Sequence, residues 1–82
     1  MVLADAAVGC LCCVESVELE QEAKGWLEAV GIHEGEALTV LRRAPFGGPI
    51  HVRTASGGEF AVAVELAACI RVRVSVQEEP RS

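Results

Sequence analysis

Between Gly31 and Val74, apolar residues return at every second position, and glycine or proline separates each run from the next. The sets are Leu38 and Val40; Ile50 and Val52; Phe60, Val62 and Val64; and Ile70, Val72 and Val74. A period of two puts alternate side chains on opposite faces of a strand, so each run has one face for a core and one for solvent. Gly31 and Gly35, the stretch from Pro45 to Pro49, and Ser56-Gly57-Gly58 keep the runs short. Several short strands at close, fairly regular spacing predict a small, mainly β barrel of about five strands.

The rest of the chain completes that plan. Residues 10–17 read as the first strand, with Cys10, Cys12 and Val14 on one face and Leu11, Cys13 and Glu15 on the other. Val17 breaks this alternation, and a bulge or strand end near Ser16 reconciles it. Residues 18–30 read as the one real helix, between strands one and two. Leu19, Ala23, Trp26, Leu27 and Val30 form its apolar stripe, which makes Trp26 a core plug. Glu18, Glu20 and Glu22 suit the positive end of the helix dipole, and Glu20 is correctly placed to pair with Lys24. Gly31 ends the helix in a left-handed conformation.

Strands follow over 36–43, 49–55 and 58–62, then one helical turn over 64–69 and a last strand over 70–76 with Arg71 and Arg73 facing outward. The tip from Ala44 to Pro49 joins two of these strands, with Gly47 and Gly48 expected at positive φ. Phe46 at that tip is expected to fold back over the barrel end, because an exposed Phe is costly without a partner. Residues 77–82 read as a flexible tail, which leaves a single domain over 1–76.

Composition narrows the function. Hydrophobic residues are 51% of the 82, which favours a folded globule over disorder. No apolar run approaches about 18 residues, so nothing is expected to span a membrane. The first residues lack the basic segment of an export signal, which points to a cytoplasmic protein with reduced thiols. The net charge of −5 disfavours nucleic acid as a partner. Its distribution is uneven. Residues 1–36 carry eight acids against Lys24, a net of −7, whereas residues 37–74 carry five arginines against Glu59 and Glu65, a net of +3. A surface of two signs suits a specific protein partner.

Catalysis finds little support. His33 and His51 are the only neutral-pH bases and lie in different segments, and there is no phosphate-binding loop or dinucleotide fingerprint. Cys10, Cys12, Cys13, Cys69, His33 and His51 are competent ligands for a transition metal ion. Their spacing is poor for a structural zinc site, because adjacent cysteines on a strand point to opposite faces. If the last strand pairs antiparallel with the first, Cys69 lies near Glu15 and away from Cys10. No cofactor is therefore expected to be required. The interaction-prone set is Arg42, Arg43, Phe46, His51 and Arg53 on the central hairpin, since Arg and aromatic residues dominate interface energetics.

Three segments resemble the FeoA family, ferrous iron transport protein A. Ala44-Pro45-Phe46-Gly47-Gly48-Pro49-Ile50 is similar to the family's A-P-L-G-[DG]-P-I. Leu27-x-x-Val30-Gly31-Ile32-x-x-Gly35 is similar to its L-x-x-L-G-[LI]-x-P-G, and Phe60-Ala61-Val62, Ala67 and Ile70-x-Val72 are similar to its closing L-A-L, A and I-x-V. The resemblance covers about residues 3 to 74. Glu34 stands where the family usually has Pro, Ala63 where Arg is common, and the Cys10, Cys12, Cys13 cluster is outside the usual pattern. The resemblance implies an SH3-like barrel. It also implies a small cytosolic accessory of ferrous iron uptake that binds and modulates the cytosolic GTPase region of the membrane transporter FeoB. The alternatives are a metal-binding or iron- and redox-sensing domain using its Cys and His residues, or a stand-alone SH3-like interaction domain related to that of iron-dependent repressors.

Overall fold

The alternating runs form five short strands. The structure, a computed structural model, describes residues 1–75. Its elements are a 3-10 helix Leu3–Asp5, β1 Leu11–Val17, α1 Gln21–Ala29, β2 Ala37–Arg43, β3 Ile50–Thr54, β4 Glu59–Val62, α2 Val64–Ala67 and β5 Ile70–Val74. The strands make one sheet in the order β4-β3-β2-β1-β5, and every named pairing is antiparallel. This is the SH3-like barrel with one helix between strands one and two. The end of the last expected strand, Val76, and the expected tail 77–82 lie outside the described residues.

The periodicity translates into burial except at the ends of its last two runs, where Val64 belongs to α2 and Val74 is exposed. Cys12 and Val14, Leu38 and Val40, Ile50 and Val52, and Ile70 and Val72 are all enclosed and form the core with Ile32, Leu27 and Val62. The expected bulge in β1 is present: the β1–β5 register shifts between Val14 and Ser16, which returns Val17 to the core side. Thr54 is the one buried polar side chain among the described residues. Its hydroxyl lies 3.1 Å from Ser56 Oγ and accepts from Gly58 N–H at 3.2 Å, so burial leaves it partnered.

The first nine residues do more than lead in. Leu3 and Ala6 are almost fully buried. Val72 N–H donates to the Met1 carbonyl at 2.8 Å, and Val2 bridges to Arg71. The N-terminal segment thereby plugs the core beside β5. Leu3 and Ala6 lie outside any run of period two, so periodicity does not reveal them.

The helix departs most from expectation. It begins at Gln21 and not at Glu18, because Glu18, just past β1, is still tied across to the residue before β5: its N–H donates to the Cys69 carbonyl at 2.8 Å. Its end is as expected. Gly31, at φ 98°, donates to Glu28, and Ile32 donates to Leu27, the two bonds that close a Schellman motif with buried Leu27 and Ile32 in contact range of one core. Trp26 is not a core plug. It is 65% exposed, and Leu27 is the one α1 side chain that the core encloses. The barrel is too small to cover a full helical stripe, and one anchor satisfies it. Lys24 pairs with Glu34 at 3.9 Å and not with Glu20.

Candidate partner-binding surface

The β2–β3 hairpin positions the residues that composition singled out. Thr39 faces Arg53 and Val40 faces Val52, but Arg42 faces His51, so Leu41 is an extra residue in β2. Such a bulge resets which residues point inward. It leaves Arg42 on the outer face with His51 and Arg53. It turns Arg43, paired with inward-facing Ile50, toward the barrel end. There the Arg43 guanidinium donates to the Ala6 carbonyl at 2.6 Å and to the Ala4 carbonyl. Arg43 therefore fastens the N-terminal plug to the tip end of the hairpin. Arg53 is held by Glu59 at 3.3 Å on the neighbouring strand. Arg42 is exposed and makes no ion pair among the described residues.

The hairpin tip is tightly bonded. Ala44 N–H donates to the Pro49 carbonyl at 3.0 Å, and Gly48 N–H donates to the Pro45 carbonyl at 3.2 Å. Inside that second bond sit Phe46 and Gly47, both at positive φ, 60° and 73°. Positive φ at both central residues is the pattern of a type I′ turn. The expectation that Gly47 and Gly48 share this role is thus half right. Gly48 has an ordinary φ and is needed for another reason: a Cβ there would lie 2.7 Å from Ala44 Cβ and 3.2 Å from the Pro45 carbonyl.

Phe46 does not fold back. It is 103% exposed, as open as a residue in an extended chain. The turn explains this. A side chain in left-handed backbone at the second position of so short a loop projects away from both strands. The bulky residue also bears a conformational cost of about 1–2 kcal/mol.

The other chemically competent residues are dispersed. Cys12 is sealed in the core, and burial, followed by its neighbour Cys10, pushes its thiol up to about 11. Cys13 is on the opposite face of β1, beside Ala37 and Arg73. Cys69 sits at the far end of β1, opposite Glu18 rather than Glu15, because Val14 pairs with Val72 and the bulge then adds one residue on β1; it is well away from Cys10, as expected. His33 lies 3.5 Å from Glu36, and His51 is on the hairpin. Among the described residues, no group of three or more His, Cys, Asp or Glu side chains is arranged to hold a metal ion.

The FeoA domain family model matches residues 1–74. The chain belongs to the FeoA family. FeoA domains are small accessory and regulatory domains linked to ferrous iron transport. No curated protein matches the chain. Among solved structures, the FeoA protein from Chlorobium tepidum superposes with a TM-score of 0.85 at 30% identity, over 96% of this chain and 74% of that one. FeoA from Stenotrophomonas maltophilia, solved with zinc and described as a prokaryotic SH3 domain protein, gives 0.74 at 25% identity, over 89% of each chain. A manganese-dependent transcriptional repressor gives 0.82 at 24% identity, over 92% of this chain and 36% of its own, which is a likeness of fold alone. The segment from Ala44 to Ile50, which resembles the family's A-P-L-G-[DG]-P-I, is the tightly bonded tip that presents Phe46. No α-helix of the described residues is long and apolar enough to cross a membrane.

Proposed function

We propose that this FeoA domain acts in the cytoplasm by docking its β2–β3 hairpin onto the cytosolic GTPase region of a FeoB-type ferrous iron transporter. One observation carries the reading: Phe46 is fully exposed on a backbone that itself opposes folding. Exposed apolar surface and left-handed backbone both cost stability, and such costs cluster where a surface serves binding. Arg42, unpaired on the outer face beside His51, supplies a charge that steers encounter, and Arg53 extends the same face. Arg43 contributes by holding the tip end of the hairpin to the N-terminal plug.

The domain works without chemistry of its own and requires no resident metal. What supports this is placement: the thiols lie in the core, on the opposite face of β1 and at both of its ends, while His33 is exposed in the turn after α1 and His51 is on β3. Structural metal binding is folding energy, so chelator treatment of the reduced protein should leave its melting temperature unchanged; a large fall would overturn the metal-free reading.

The docking test uses purified domain and the purified cytosolic region of FeoB, with binding measured by calorimetry. Phe46→Ala with Arg42→Ala should weaken binding at least about tenfold, as expected for an aromatic anchor and a neighbouring charge. The part due to Arg42 should shrink at high salt. A stably folded double variant that binds as tightly as wild type excludes the hairpin as the interface.

A further inference from the structure

A second surface lies on α1, far from the hairpin in sequence and opposite in charge. Trp26, Leu27, Val30, Phe60, Val62 and Leu66 border a hollow of about 100 Å³ between α1, the edge strand β4 and α2. It opens past Trp26 into a wider depression of about 340 Å³ bordered by Ala23, Leu66, Glu20 and Glu22. Trp26, Leu27 and Leu66 border both, so the two form one continuous groove. Its floor is apolar, and no Lys or Arg lines it. Among the described residues, Glu20 and Glu22 make no ion pair, and Glu20 caps the helix without a side-chain hydrogen bond. The carboxylates at the mouth are thus not used by the fold. Gly25 has open space around it, which leaves the helix surface beside Trp26 unobstructed.

We propose that this groove docks a cationic amphipathic segment of a protein partner. Apolar side chains of the segment cover Trp26 and fill the hollow beside Phe60, and its Lys or Arg residues face Glu20 and Glu22. Charge complementarity selects this occupant: an apolar trough edged by unpaired carboxylates repels an acidic amphipathic segment and attracts a basic one. A second copy of the chain fits less well. It brings a net charge of −5 and the same unpaired carboxylates to a groove already edged by Glu20 and Glu22.

Trp26 is the only tryptophan, so its fluorescence reports the groove directly. The probes are a synthetic peptide of leucine and lysine at helical spacing and its counterpart of leucine and glutamate. The leucine–lysine peptide should produce a saturable blue shift that weakens with rising salt, and the leucine–glutamate peptide should produce none. Glu20→Lys with Glu22→Lys should weaken the lysine peptide about tenfold, the sum expected for two exposed charges reversed. Ala61→Lys, an exposed substitution at the groove, should weaken it without unfolding the protein. Phe46→Ala with Arg42→Ala should leave it unchanged, which separates this surface from the hairpin. Equal binding of both peptides, or full binding by the Glu20→Lys, Glu22→Lys variant, overturns the proposal. So does a concentration-dependent blue shift of the protein alone, which would assign the groove to a second copy.

Discussion

Phe46 and Trp26 are the two large aromatic side chains that this barrel leaves outside, and they are held there by different means. Phe46 stands on a closed tip whose two backbone hydrogen bonds and left-handed residues leave it one direction to point. Trp26 stands on a nine-residue helix that the core grips through Leu27. The first is fixed by backbone geometry and the second by packing. Backbone geometry is local, so the hairpin should keep its shape when distant contacts are lost. A helix this short has little stability of its own, so α1 should respond to any loss at its anchor.

The largest expected effect tests that dependence. Leu27→Ala removes the α1 anchor and should cost about 2–5 kcal/mol, whereas Trp26→Ala, on the exposed side, should stay within about 1 kcal/mol. Denaturant titration measures both. Similar losses for the two would mean that Trp26 carries packing that its exposure conceals. Amide exchange on the Leu27→Ala protein should rise in α1 well before the hairpin tip. Uniform exchange would erase the distinction between the two regions.

The tip is tested by Gly48→Val. A side chain there meets Ala44 and the Pro45 carbonyl, neither of which can swing away, and the overpacking should cost about 1–3 kcal/mol. Pro49→Ala mainly frees the unfolded chain and should cost about 1 kcal/mol or less. Equal melting temperatures for these two variants would show that the tip is looser than its hydrogen bonds suggest. The strand ends beside the tip are tested next: Arg43→Ala should cost about 1–2 kcal/mol through the lost bonds to Ala4 and Ala6, while Arg42→Ala should stay within about 0.5 kcal/mol. An Arg43→Ala protein as stable as wild type would remove the link between plug and hairpin.

The same contrast explains what could be read from residues alone. The strands were placed within a residue or two because alternation and Gly or Pro punctuation are local signals. Gly31 at the helix end and the bulge near Ser16 were local as well, the second because Val17 visibly breaks its own run. Three features were not local. Trp26 lies outside because the barrel runs out of covering surface, which depends on how many elements reach the helix. Leu3 and Ala6 plug the core from a stretch with no period. Arg43 turns to the barrel end because Leu41 is an extra residue, and the only trace of that in the sequence is an apolar residue following Val40 out of step. Phe46 is hidden for a different reason: its apolar character argues for cover, whereas the turn that enforces its exposure needs a positive φ that a Phe does not advertise.

The smallest effect concerns what the two regions share. Cys12 is fully buried on β1, which lies between β2 and β5 in the sheet. Its folded thiol is held up at about 11 against an ordinary 9.0, first by burial and then by Cys10. In the unfolded chain this thiol ionises from about pH 9, while in the folded protein it keeps its proton until about pH 11. The native state therefore binds more protons across that window. Its contribution is intact below pH 9 and is lost as pH rises toward 11, by about 1 kcal/mol at about pH 10. Cys12→Ala lowers stability at neutral pH through the lost packing, yet its decline over the same window should be shallower than wild type. Because β1 supports both regions, the alkaline loss should register together in Trp26 fluorescence and in amide exchange at the hairpin. A loss seen by only one probe would mean that the hairpin and α1 unfold as separate units, and the contrast between them would then extend to the core itself.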